Sequence, residues 1–86
     1  MKIIVRKPTD AEKQTAEAWP IWTKEVSTFP YSYGSTETCW ILEGEVTVRT
    51  PEGETSFKAG DWVVFPKGLE CTWVVGQPVR KHYHFA

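Results

Sequence analysis

The residues of this sequence that could do chemistry fall at strand-like spacings. Glu37 heads the run Glu37-Thr38-Cys39-Trp40-Ile41-Leu42. A period of two puts Cys39 and Ile41 on its face and Trp40 and Leu42 on the other. Desolvation on such a partly apolar face favours the neutral form of a carboxyl group, which suits a general acid or base. The competing reading is a carboxylate that accepts hydrogen bonds from Tyr31 or Tyr33 and only locks its surroundings. Cys71, Trp73 and Val75 likewise share a face. The Cys71 thiol is a nucleophile only beside a cation that lowers its pKa; otherwise it is inert packing, as Cys39 is read to be. Tyr31 and Tyr33, two residues apart, can hydrogen-bond or stack on a small ligand, or can fill space with their hydroxyls at water or at Glu37. Near the C-terminus, Arg80, His82 and His84 lie on one face. Two imidazoles at that spacing could share a metal, but a third and fourth ligand are missing and His84 is two residues from the end. Arg80, Lys81 and His82 could instead contact an anionic ligand, arginine gripping a carboxylate as a fork. The bland reading of Arg80 and Lys81 is a solvated edge that discourages pairing between molecules.

Something must position these groups, and composition bounds what it can be. The 86 residues are 41% hydrophobic and 24% charged, a globular balance that allows one domain and one core. Ten basic and eleven acidic residues leave a net charge of -1, with no cationic stripe, so nucleic acid is not an expected partner. No apolar run approaches the roughly 20 residues that span a bilayer, and Met1 to Pro8 is a charged, β-like stretch rather than a signal core. The expectation is a cytoplasmic protein without a membrane partner. Two cysteines make no disulfide framework and are read as reduced. Aromatic residues reach 14%, with five tryptophans, to fill a small core, a pocket or an interface.

The element pattern is all-β. Residues 1–18 read as an N-terminal strand (Ile3-Ile4-Val5) and a surface segment. Thr9 with Glu12 forms a capping-box pattern there, and the lack of an apolar stripe limits it to a short helical turn. From Trp19 to the end the pattern is barrel-like, with short β-like pieces at 19–22 and 25–26, an alternating run at 29–33, and strand runs at 37–42, 46–50, 55–57, 62–65, 71–75 and 79–85. Turn signals at Gly34-Ser35, Glu43-Gly44-Glu45, Pro51-Glu52-Gly53, Gly60-Asp61, Pro66-Lys67-Gly68 and Gly76-Gln77-Pro78 separate them. Eight or nine short strands spaced in this way predict a sandwich or barrel in a single domain, 1–86.

Two spacings inside that pattern are specific. They are Tyr31-x-Tyr33-x3-Glu37-x6-Gly44 and Gly60-x5-Pro66-x-Gly68-x2-Cys71. They resemble the two motifs of the cupin superfamily, in which histidines stand where Tyr31, Tyr33 and Cys71 stand here, while Glu37 and the glycines and proline match. The wider wording, from WPIW through ETCWILEGEVTV and GDWVVFPKGL to PVRKHY, resembles the small single-domain cupins grouped with ureidoglycine aminohydrolases and ethanolamine-utilisation cupins. The resemblance implies a double-stranded β-helix, the cupin jelly roll, with the Glu37 face lining the lumen, and often a homodimer. Metal-binding cupins hold a divalent ion with three histidines and a glutamate, and only the glutamate survives here. The preferred reading is a barrel that binds a small polar molecule through Tyr31, Tyr33, Glu37, Cys71, Trp73, Arg80 and His82. If it is an enzyme, Glu37 is the acid/base, Cys71 a lesser candidate, and the substrate a small nitrogen compound or carboxylate. The alternatives are a non-catalytic homodimeric module with a vestigial pocket, and a metalloenzyme with an altered ligand set of Glu37, Cys71 and His82. No cofactor is expected under the first two.

Overall fold

The computed structural model describes residues Met1–Ala86 and is built on two long antiparallel strands. In chain order the elements are β1 (Ile4–Arg6), α1 (Asp10–Ala16), β2 (Ile21–Lys24), β3 (Ser27–Ser32), β4 (Glu37–Thr50), β5 (Gly53–Lys58), β6 (Trp62–Phe65) and β7 (Glu70–Phe85). The strand count is therefore seven rather than eight or nine. The expected breaks at Glu43-Gly44-Glu45 and Gly76-Gln77-Pro78 bend continuous strands instead of ending them.

β4 and β7 pair along most of their length, and each passes through both halves of the molecule. One half is ordered β1-β6-β4-β7-β2 and uses the start of β4 and the end of β7. The other pairs β5 with the end of β4 and β3 with the start of β7. Between the halves the β4–β7 register shifts near Glu43 and Glu45. Gly44 sits in this bend at φ 100, where a Cβ would lie 2.4 Å from the Pro78 carbonyl oxygen. The bulge also switches which β4 residues face inward, from Glu37, Cys39 and Ile41 before it to Val46 and Val48 after it.

The two halves close over a core that includes Ile41, Val48, Val63, Phe65, Trp73 and Val79. Rings join across it, with Phe65 5.5 Å from Trp73 and 5.8 Å from Phe57. The N-terminal segment is tied to this body, since β1 pairs with β6 as an edge strand and α1 buries Ala16. The capping box forms as the Thr9–Glu12 pattern predicts, with Glu12 N donating to Thr9 Oγ1 at 3.1 Å and Thr9 N donating to Glu12 Oε1 at 2.9 Å. The tryptophans on the outer face pack within the chain. Trp62 lies 5.6 Å from Trp19, and Trp40 stacks on His82 at 5.9 Å. No helix is long and apolar enough to cross a membrane.

Candidate functional site

A cleft of about 160 Å³ opens into the lumen, and seven of its nine lining residues are hydrophobic. Its floor holds two charges. Glu37 enters from the first position of β4, and Lys81 from β7, opposite Ile41 in the ladder. Both point inward, and Lys81 Nζ donates to Glu37 Oε2 at 2.7 Å with side-chain exposures of 6% and 3%. Two charges so withdrawn from water persist only when paired at good geometry. The ammonium is also surrounded by rings, 4.7 Å from the centroid of Trp73, 4.8 Å from Trp22 and 6.0 Å from Tyr83. Aromatic faces carry the negative side of a quadrupole, so these rings add to the stabilisation that Glu37 gives the cation.

The cage is held by its own packing. Phe29 stacks on Trp73 at 5.9 Å, where β3 pairs with β7. Trp73 Nε1 donates to Tyr33 Oη at 3.2 Å, and Tyr33 stacks on Phe65 at 4.9 Å. Tyr31 stands edge-on to Tyr33 at 4.6 Å and is exposed at the mouth. Burial, then the neighbouring Glu37 charge, pushes both phenols above their ordinary pKa, Tyr33 far above it. Both are neutral hydrogen-bonding groups at any ordinary pH.

The structure brings together Tyr31, Tyr33, Glu37 and Trp73, all of which line the cleft. The carboxylate of Glu37 is not locked by the tyrosines, nor is it a lone carboxyl in an apolar lumen, because its partner is Lys81. Cys71 is buried but does not line the cleft. Its thiol donates to the Tyr31 carbonyl oxygen at 3.5 Å, and burial together with Glu37 pushes its pKa up. No cation depresses it, so the nucleophile reading lacks its cause. Arg80 and His82 fall outside the cleft. They lie on the opposite face of β7 from Lys81, where Arg80 pairs with Glu43 at 4.0 Å and His82 Nδ1 meets the Trp19 carbonyl oxygen at 3.0 Å. His84, on that face too, stacks on Trp19 at 5.2 Å.

The cleft residue that the sequence leaves ambiguous is Lys81, which reads either as a cationic contact to an anionic ligand or as a solvated edge, and not as the partner of Glu37. Its signal is the parity of Cys71, Trp73 and Val75, which resumes beyond the exposed Gln77 at Val79, Lys81 and Tyr83. Trp22 and Phe29 join through strand pairing, which no local pattern reveals.

The residues present do not fit a divalent metal. No group of three His, Cys, Asp or Glu side chains converges anywhere in the chain. At the motif positions, two phenols and a thiol with raised pKa values are poor ligands, and the one carboxylate already holds a cation. His82, the third member of the altered ligand set, faces away from Glu37 and Cys71.

Comparison with known proteins agrees with this geometry. The family model described as the EutQ-like cupin domain matches residues 11–83. A DUF861-family protein from Thermotoga maritima superposes with a TM-score of 0.93 at 48% identity, covering 99% of this chain and 100% of that one. An ethanolamine utilization protein Q from Salmonella typhimurium superposes with a TM-score of 0.67 at 30% identity, over 73% of this chain and 51% of that one. EutQ of Clostridium difficile shares the fold at 19% identity and a TM-score of 0.68, over 73% of this chain and 50% of that one. The chain thus spans about half the length of either EutQ protein. No curated protein matches. With the jelly roll, the inward Glu37 and a family match over most of its length, the chain belongs to the EutQ-like cupin family.

Proposed function

We propose that this cupin binds a small polar molecule in its lumen, with the Lys81–Glu37 pair as polar floor and the rings of Trp22, Phe29, Trp73 and Tyr83 as walls. The observation that supports this most is a buried ion pair at the base of an open cleft rather than in a closed core. A pair with only a structural role has no need of a solvent-reachable mouth, and ligand sites combine an apolar wall with a few convergent polar groups in this way. A fragment soak, or titration followed by the indole NMR signals of Trp22 and Trp73, tests it. Lumenal binding that perturbs those two signals is expected; a broad fragment set with no lumenal occupant would remove the proposal.

If the site also turns a substrate over, Glu37 is its acid/base and Lys81 its electrostatic partner, and the resemblance to ureidoglycine aminohydrolases extends the reading to a small nitrogen compound. Glu37→Gln with unchanged turnover would end that role. Two free thiols support placement in the cytoplasm. A homodimer is the expected assembly, with the exposed Ile4 and Ile21 as apolar surface; a solution mass of one chain by light scattering would contradict it.

A further inference from the structure

Building on the lumen as a ligand site, we propose that its ligands present a neutral amide edge, a carbonyl beside an N–H, on a flat body about one six-membered ring in size. The chemistry of the floor sets the edge. Lys81 Nζ has three donors and uses one on Glu37 Oε2. Glu37 Oε1 takes no hydrogen bond from the protein, yet no buried side-chain polar atom is left without a partner, so Oε1 meets the cleft. Two ammonium donors remain beyond the one given to Oε2, and both residues line the cleft, so the floor offers a cationic donor beside a carboxylate acceptor.

A ligand carboxylate would satisfy Lys81 but bring its charge against Glu37. A ligand ammonium would satisfy Glu37 but meet Lys81, which already occupies the ring faces at 4.7 and 4.8 Å. A neutral amide meets both needs, its oxygen accepting from Lys81 and its N–H donating to Oε1. Flat rings at Phe29, Tyr31 and Phe85 line the remaining wall and suit a planar body. The volume of about 160 Å³ matches the roughly 150 Å³ cavity that takes one benzene.

The test uses three probes of similar size on the same ring, benzamide, benzoate and benzylammonium, titrated against the full chain by indole NMR and tryptophan fluorescence. Benzamide is expected to bind about tenfold tighter than either ion, the worth of one well-made charge-assisted hydrogen bond. In the double variant Glu37→Leu/Lys81→Met, where apolar side chains of similar bulk replace the pair, that preference should vanish. Benzoate or benzylammonium binding as tightly as benzamide, a preference that survives the double variant, or no binding by any of the three would each overturn the amide assignment. A fragment soak separates that failure from the wider one. A lumenal fragment of other chemistry leaves the ligand site standing, and an empty lumen removes both.

Discussion

The ion pair between Glu37 and Lys81 concentrates the energetics of the site in two residues. Neither charge can be removed alone without stranding the other in a nearly dry cage. Lys81→Met should therefore cost about 3–5 kcal/mol of stability, and Glu37→Leu a comparable amount. The double variant Glu37→Leu/Lys81→Met should lie within about 1 kcal/mol of the parent or above it, since a well-packed apolar pair avoids the desolvation cost altogether. Urea denaturation of the four proteins measures the coupling, and simple addition of the two single losses would show that the pair does not act as a unit. The thiols are a second residue-level case. Cys39 donates to the Val63 carbonyl oxygen at 3.6 Å and burial pushes its pKa up to about 12. At pH 7 it has no thiolate to offer, and Cys71 is shifted in the same direction. Iodoacetamide at neutral pH should leave both unmodified in the folded protein and modify both in urea. Fast labelling of native Cys71 would restore it as a nucleophile candidate.

At the scale of elements, the bend shared by β4 and β7 decides whether one chain can serve two halves of a barrel. Gly44 makes it possible, since its φ of 100 disfavours any side chain and the Pro78 carbonyl oxygen occupies the Cβ position. Gly53 also has a positive φ, 131, but nothing lies within 4 Å of its missing Cβ. Gly44→Ala should thus cost well beyond the ~1–3 kcal/mol of backbone strain alone, whereas Gly53→Ala should stay inside that range. Equal losses in urea midpoints would show that the clash relaxes without cost. The same bend explains what the amino-acid pattern conveyed and what it hid. Alternation, turns and the capping box placed nearly every strand and the helix, because those are local preferences of the chain. Local preference does not distinguish a turn from a bulge, so Glu43-Gly44-Glu45 and Gly76-Gln77-Pro78 read as breaks and the strand count came out high. Treating residues 79–85 as a fresh strand also cut Lys81 off from the parity of Cys71 and Trp73. Arg80 and His82 then stand beside Lys81 as equal candidates for ligand contact, and no local pattern marks Lys81 as the partner of Glu37.

As a whole, the molecule is a small barrel whose interior rejects negative charge beyond Glu37. Cys39, Cys71, Tyr31 and Tyr33 are all shifted upward, in each case first by burial. A raised folded-state pKa contributes stability that is fully present below the unfolded value and is lost as pH rises toward the folded one. For Cys39 that window runs from its ordinary value of 9.0 to about 12. At the surface the opposite holds. Hydrogen bonds from Arg6 lower Glu12 from 4.5 to about 2, so its contribution is present above the upper value and fades as pH falls through the lower. The melting temperature should accordingly hold a plateau across neutral pH and decline as the solution becomes more alkaline than the ordinary thiol pKa. Removing one of the responsible groups by Cys39→Ala should lower the plateau through the lost packing yet flatten the alkaline decline. Thermal melts of both proteins across that range decide the matter. An alkaline slope unchanged by the substitution would mean that the Cys39 thiol plays no part in it, and that the buried phenols and Cys71 carry it instead.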